Sequence, residues 1–401
     1  MHHDLTRTPR PDHVPPALVV DFNVYGPERA AEDLHGAWRT LQQGPDIVWA
    51  PYHGGHWILT RHGDIDFAQR NHDPFSMRDV TMPANTRPTR LLPLEADPPE
   101  HTPFRAILNP WFSPKRIGEL KDFTRQLAVD LIEGFKSRGE CEFMQDFALI
   151  LPIAIFMRLT NLPMSDREQL LRLAQMSTRG TPDERAQSAR EMMAYLHPVV
   201  AARRANPGDD VLSAVVHAKV GGQPINDTDM MSMLLVILFG GLDTVASTLG
   251  FIAQFMAGSP SHRRQLLEEP ALVDNAVEEL MRRFPPSATA RTMSRDSEYK
   301  GIHFRQGDKV YIYTLMAGLD ERRYPEAWEV DFRRRDAQQH NSFGAGPHRC
   351  PGSLLAKLEI KLFLQEWLAR LPDFRVKPGE SVVYGAGQVN CVERLVLTWP
   401  T

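Results

Sequence analysis

The stretch Phe343-Gly344-Ala345-Gly346-Pro347-His348-Arg349-Cys350-Pro351-Gly352 limits what this chain can fold into more than any other. One cysteine lies between glycines, the cationic pair His348-Arg349 immediately precedes it, and an aromatic ring, Phe343, stands seven residues upstream. Gly344 and Gly346 let the chain turn tightly and approach a ligand closely. Gly352 removes a side chain just where helical spacing begins, at Ser353-Leu354-Leu355-Ala356-Lys357. A thiolate at a helix N-terminus is stabilised by the macrodipole and by free N–H groups, and His348 and Arg349 add positive charge suited to an anionic group. A fold built around such a loop offers one thiolate to a large flat cofactor. The competing reading is a buried structural cysteine in a glycine-rich turn; the number of restricted positions in so short a segment weighs against it.

Such a loop needs enough chain to enclose a cofactor, and 401 residues suffice. A composition of 42% hydrophobic and 24% charged residues is that of an ordinary globular protein. The formal net charge of -4 points to neither nucleic acid nor an acidic membrane surface as partner. Cys141, Cys350 and Cys391 are too few and too scattered for a disulfide framework. Their odd number, without metal-ligand spacing, fits a reducing, cytoplasmic compartment. The start, Met1-His2-His3-Asp4-Leu5-Thr6-Arg7, has no apolar core, so no secretory signal is expected. The most apolar run, 231–241, soon meets Asp243 and is too short for a membrane span.

The pattern along the chain is mainly helical. Residues 1–45 are Pro-rich and are expected to wrap the surface. Residues 48–60, with His53-Gly54-Gly55 between Trp49 and Trp57, read as a hairpin. Apolar residues recur at three- and four-residue spacing over 116–136, 146–162, 166–176, 186–206, 227–256 and 273–284, and again over 354–371. Segments 299–304 and 309–313 read as strands around the Gln306-Gly307 turn, 324–341 is charged and irregular, and 382–399 is strand-like. The expectation is a mainly α fold with a minor β region, in a single domain spanning 1–401.

A second segment, Val236-Ile237-Leu238-Phe239-Gly240-Gly241-Leu242-Asp243-Thr244-Val245, breaks helix rules in mid-helix. Paired glycines, an acid and a hydroxyl each cost helix stability there, so their presence asks for a reason. Gly240 and Thr244 are four apart and share a face. The absent side chain at Gly240 opens room for a water or a diatomic ligand one turn from the Thr244 hydroxyl, which is also able to bond a carbonyl one turn back. The structural alternative is a close helix crossing over the glycines, with Asp243 in an internal salt bridge.

Both segments resemble the cytochrome P450 family: the first its haem-ligand loop, the second the acid–alcohol motif of its central helix. The resemblance extends from about Val48 to Trp399. It implies the cytochrome P450 fold, with haem b held between a long central helix and the cysteine-loop helix. It implies Cys350 as the axial iron ligand beside Phe343 and Gly240. His101, Arg105, Arg291 and His348 would face the haem propionates, of which Arg105 brings the fixed fork that suits a carboxylate. Thr244 and Asp243 would pass protons during dioxygen reduction. Glu279-Leu280-Met281-Arg282 matches the buried Glu-x-x-Arg lock around the cysteine loop. The lock's third, basic partner is not evident within Trp328-Glu329-Val330-Asp331-Phe332-Arg333.

Several stretches are similar to the bacterial camphor hydroxylase branch, among them Gly240-Gly241-Leu242-Asp243-Thr244-Val245, Gly318-Leu319-Asp320-Glu321-Arg322 and Leu371-Pro372-Asp373-Phe374. The tyrosine that holds the camphor ketone in that branch falls near Thr89 here, and 79–97 contains no tyrosine. Phe239 stands where the branch carries valine. With Val236, Ser287, Gln388 and Val389, these positions outline a mostly apolar pocket that orients by shape. The resemblance therefore implies a monooxygenase hydroxylating a small terpenoid or ionone-like norisoprenoid. Electrons would come from a [2Fe-2S] ferredoxin and its NAD(P)H reductase, and a monomer is expected. Lys115, Arg116, Arg349 and the Arg333-Arg334-Arg335 run are candidate docking cations for an acidic ferredoxin. A peroxide-using haem enzyme and a non-catalytic haem sensor are the competing functions, and the acid–alcohol pair argues against both.

Overall fold

The computed structural model describes residues 5–83 and 90–401; Thr89 lies outside them. The expected helices are present, and their breaks are informative. The 116–136 segment divides at Leu120 into Pro114–Glu119 and Lys121–Lys136. The 146–162 segment opens with a π-helical turn, Met144–Ala148, before helix Ile150–Thr160. That helix is apolar and buried on nearly every face, as a helix crossing the middle of a core must be. Helices Arg167–Arg179 and Pro182–Ala205 follow. The second starts at a capping box, in which the Thr181 hydroxyl and the Glu184 carboxylate satisfy each other's backbone N–H. Helix Val273–Arg283 and the cysteine-loop helix Ser353–Arg370 lie close to their expected bounds.

The central helix runs as two pieces, Asp227–Leu242 and Thr244–Gly258, with Asp243 out of helical geometry between them (φ -125°, ψ -30°). Taken together, Asp227–Gly258 is apolar and long enough to cross a membrane, with 72% of its most apolar window buried inside the protein. Burial accounts for the composition: this is the core helix around which the others pack.

Five strands form the main sheet, in the order Ile47–Ala50, His56–Leu59, Lys309–Tyr313, Ala288–Met293, Phe75–Ser76. The Ile47–Ala50 and His56–Leu59 hairpin is the one expected over 48–60. Segment 299–304 is different from its expectation. It is no single strand but the heart of a hairpin, Ser297–Tyr299 against Ile302–Phe304. Lys300 and Gly301 turn it with φ of 51° and 72°, a twist that matches paired strands. The Pro-rich start also does more than wrap the surface. Val14, Val24 and Trp38 are wholly buried, and Trp38 stacks on Tyr311 of the sheet (5.9 Å).

Beneath the cysteine loop, Glu279 and Arg282 are fully buried and pair through two hydrogen bonds of 2.7 and 2.8 Å. Arg282 also donates to the carbonyls of Gly318 and Ala327 (2.5 and 2.7 Å). The third partner is Arg334, whose Nε lies 3.1 Å from both Glu279 oxygens. It sits one residue beyond the stretch in which sequence left it undetermined. A buried pair is stable only when its remaining donors and acceptors are met, and here carbonyls of the irregular 318–329 region meet them.

Candidate active site

Main-chain contacts hold the cysteine loop. Cys350 N–H donates to the Phe343 carbonyl and Gly344 N–H to that of Asn341, each at 2.8 Å. Gly344 and Gly346 have φ of 72° and 68°, so both need glycine. The close approach made by Gly346 is to protein, not to a ligand: a Cβ there would lie 2.8 Å from the Gln69 carbonyl oxygen. Helix Ser353–Arg370 begins three residues after Cys350. Cys350 keeps accessible surface, yet the protein surrounds its sulfur closely enough that burial pushes the thiol pKa up. The Gly352 N–H, Arg105 and Arg349 pull it back.

Beside this loop the chain gathers four nitrogen-bearing side chains. The His101 and His348 rings meet edge to face at 4.5 Å. Arg105 donates to the Arg349 carbonyl (2.5 Å), tying helix His101–Leu108 to the loop. Arg291 is buried on strand Ala288–Met293, where burial lowers its pKa to about 10, opposed only by Asp97. His348 differs from its expectation as a positive charge. Burial first, then Arg291, His101 and Arg105, push its pKa to about 2, so it is neutral in the protein alone. Its Nε2 has no hydrogen-bond partner, the nearest acid oxygen being that of Asp97 at 3.9 Å. Asp97 is itself engaged by Ser76 and the Met77 N–H. Among the described residues, Arg291, His101 and His348 thus share one carboxylate, Asp97, which is already engaged. That imbalance fits a bound group carrying two carboxylates, whose charge would raise the His348 pKa again.

Across the central helix, the two glycines divide the two explanations that sequence offers. A Cβ at Gly241 would collide with the Phe156 ring at 2.3 Å, so this glycine permits a helix crossing. A Cβ at Gly240 meets nothing within 4 Å, and Gly240 is exposed although the buried Ile237, Leu238 and Phe239 precede it. The Thr244 hydroxyl bonds the Gly240 carbonyl at 3.3 Å, one turn back as its spacing predicts. Asp243 is buried in an ion pair. Arg179 donates to both its oxygens (2.6 and 2.9 Å) and the Thr178 hydroxyl adds a third bond (3.0 Å). Burial works against the Arg179 charge, and Asp243, with help from Cys391 and Glu393, more than offsets it.

The family profile described as cytochrome P450 matches residues 158–383, more than half of the chain. The chain belongs to the cytochrome P450 family. Cytochrome P450s are haem-thiolate monooxygenases, and the cysteine loop and cation cluster suit that cofactor. A relative from Sinorhizobium fredii, described as probable cytochrome P450 127A1, is 34% identical over 98% of this chain and 97% of its own. Two solved cytochrome P450 structures are similar throughout, each covering 98% of this chain and 100% of theirs. CYP101J2 has a TM-score of 0.89 and 38% identity, and CYP101C1 a TM-score of 0.90 and 34% identity. Both lie in the camphor hydroxylase branch that the motifs resemble.

The expected pocket positions of this P450 come together only in part. Ser287 and Val389 form a β-bridge, and the Ala288 N–H donates to the Gln388 carbonyl (2.9 Å). Val236 is half-buried on the helix carrying Gly240, and Phe239 is packed into the helical core. The Arg333-Arg334-Arg335 run is not the free basic patch expected for docking. Arg333 pairs with Glu269 (2.5 Å), and Arg334 is spent on Glu279. Arg116 likewise pairs with Asp209 (2.6 Å). Arg179 and Thr178 were missed by sequence reasoning. Their only signal is a position at a helix end before Gly180, which does not name Asp243 as partner.

Proposed function

We propose that this P450 hydroxylates a small apolar terpenoid or ionone-like norisoprenoid, as a cytoplasmic, monomeric, single-domain enzyme. Its electrons come from a separate [2Fe-2S] ferredoxin and NAD(P)H reductase. Bound haem supplies dioxygen reduction and the transfer of one oxygen atom to carbon. Cys350 Sγ would hold the haem iron as a thiolate, whose electron density suits the group to oxygen activation. Arg105, Arg291, His101 and His348 would hold its propionates, and Phe343, whose carbonyl accepts from the Cys350 N–H, would back the loop. The Thr244 hydroxyl holds a proton at Oγ1 one turn from the open face of Gly240. Asp243 exchanges protons with solvent when Arg179 and Thr178 let go of its carboxylate. The observation that carries the assignment is the presence of two features together, a thiol in a main-chain-locked loop and a hydroxyl beside an uncrowded glycine.

The substrate class rests on the apolar character of Val236, Phe239 and Val389, with Ser287 and Gln388 as the few polar groups. A spin-state titration against camphor, ionones and monoterpenoid alcohols tests it. An ionone is expected to shift the spin state at micromolar concentration and to be hydroxylated when ferredoxin, reductase and NADH are supplied. No shift with any terpenoid would sink the substrate class, and equal turnover with hydrogen peroxide alone would sink the ferredoxin requirement.

A further inference from the structure

The tip of the C-terminal hairpin, residues 386–390, lies between strands Val383–Gly385 and Cys391–Arg394. It touches two regions that the proposed reaction keeps apart. On one side it builds the pocket wall, through the Ser287–Val389 bridge, the Ala288–Gln388 bond and a bond from Asn390 N–H to the Pro286 carbonyl (2.9 Å). On the other it seats against the end of helix Arg167–Arg179. Gln388 N–H donates to the Thr178 carbonyl at 3.3 Å. A Cβ at Gly387 would lie 2.9 Å from that carbonyl oxygen and 3.3 Å from Arg179 Cγ. Thr178 and Arg179 are the two residues that clamp Asp243.

The tip is braced rather than loose. Gly387 N–H donates to Asn390 Oδ1 (3.2 Å), and Asn390 is fully buried. The Tyr25 hydroxyl faces both the Gln388 side chain and Arg185. Arg185 in turn donates to the Gly180 carbonyl (2.9 Å), the residue after Arg179. Bonded contacts thus run without interruption from the wall at Ser287 and Val389 to the clamp.

We propose that the 386–390 tip couples the pocket wall to the proton site, and that Gly387 is a positioning residue for it. The missing side chain lets Thr178 and Arg179 seat in the geometry that keeps Asp243 clamped, and a ligand that displaces the wall moves the clamp. The proposal rests on the reading of Asp243 as a proton relay and concerns what releases that relay.

Gly387→Ala tests it, because the added methyl forces the Thr178–Arg179 backbone away. Amide hydrogen exchange over 174–181 in the holoenzyme is expected to rise about tenfold, the signature of local opening. Substrate-free NADH consumption, driven by a [2Fe-2S] ferredoxin and its reductase, is expected to rise with it. In an Asp243→Asn background the exchange effect stays and the NADH effect vanishes. Unchanged exchange overturns the link, as does an NADH rise of equal size without Asp243. Asn390→Ala removes the acceptor of the Gly387 N–H and is expected to give the same two effects; should Gly387→Ala not fold, the absence of both in Asn390→Ala overturns the link instead. If Asp243→Asn alone leaves the rate of product formation unchanged, the relay reading fails, while the exchange result still decides the link.

Discussion

The two sides of the site are held by different means. On the cysteine side, position comes from neighbouring backbone: the Cys350–Phe343 and Gly344–Asn341 bonds, two left-handed glycines and the helix that starts at Ser353. On the Asp243 side, position comes from side chains brought from afar, with Arg179 and Thr178 reaching across from another helix. A backbone-locked loop has one geometry and suits a fixed ligand. A side-chain clamp has a closed and an open state and suits a group that must act at one moment and be still at others. The first costs conformational freedom once, at folding; under the proposed relay role the second would be remade in each turnover.

Breaking the fixed side gives the largest effects. Cys350→His is expected to abolish product and the carbon-monoxide difference band of thiolate-ligated haem, while the loop's main-chain bonds keep the fold. Persistence of that band would contradict the ligand assignment. Glu279→Gln leaves Arg282 and Arg334 facing a neutral group, and loss of a buried charge partner costs about 3–5 kcal/mol. Thermal unfolding and haem retention would read it, and a variant as stable as the parent would mean the lock is not needed.

The switching side gives smaller effects that leave the spectrum alone. Asp243→Asn is expected to slow product formation about 100-fold, the scale of a general acid–base group. Thr244→Ala is expected to divert NADH into uncoupled consumption with less change in its rate. Equal coupling in parent and Thr244→Ala would remove the hydroxyl from the proton path.

The effect that is smallest per step is a titration, and it sharpens the contrast from the fixed side. Glu359, on the cysteine-loop helix, is buried with Oε2 unpartnered, and burial raises its pKa from 4.5 to about 8. A raised acid pKa means the folded state holds the proton longer than the unfolded chain does. Stability from this group is intact below about pH 4.5 and falls as pH rises towards 8. The slope is at most about 1.4 kcal/mol per pH unit. Urea unfolding at several pH values is expected to show that decline, flattened in Glu359→Gln; identical slopes would mean Glu359 finds a partner when charged.

The same division explains what was readable in the sequence. The cysteine loop was legible because its determinants are local: glycine at Gly344 and Gly346, and a helix pattern at once afterwards. The Gly240–Thr244 geometry was legible because helical spacing fixes it. Arg334 was not, because its partner Glu279 lies 55 residues away, and three consecutive arginines look alike as letters while only the middle one has its side chain turned inward, 10% exposed. Arg179 stayed hidden for the same reason, 64 residues from Asp243. The hairpin at Lys300-Gly301 was misread because a strand pattern says nothing of a non-glycine residue taking a left-handed turn.

The interruption of the central helix has a consequence for the chain before it folds. Asp227–Gly258 is apolar and long enough to be taken for a membrane anchor, and an aspartate at the centre of such a segment disfavours insertion into lipid by about 2.5–3.5 kcal/mol. The acid that breaks this helix therefore also biases the newborn polypeptide towards water, at the stage when Arg179 has not yet come to meet it.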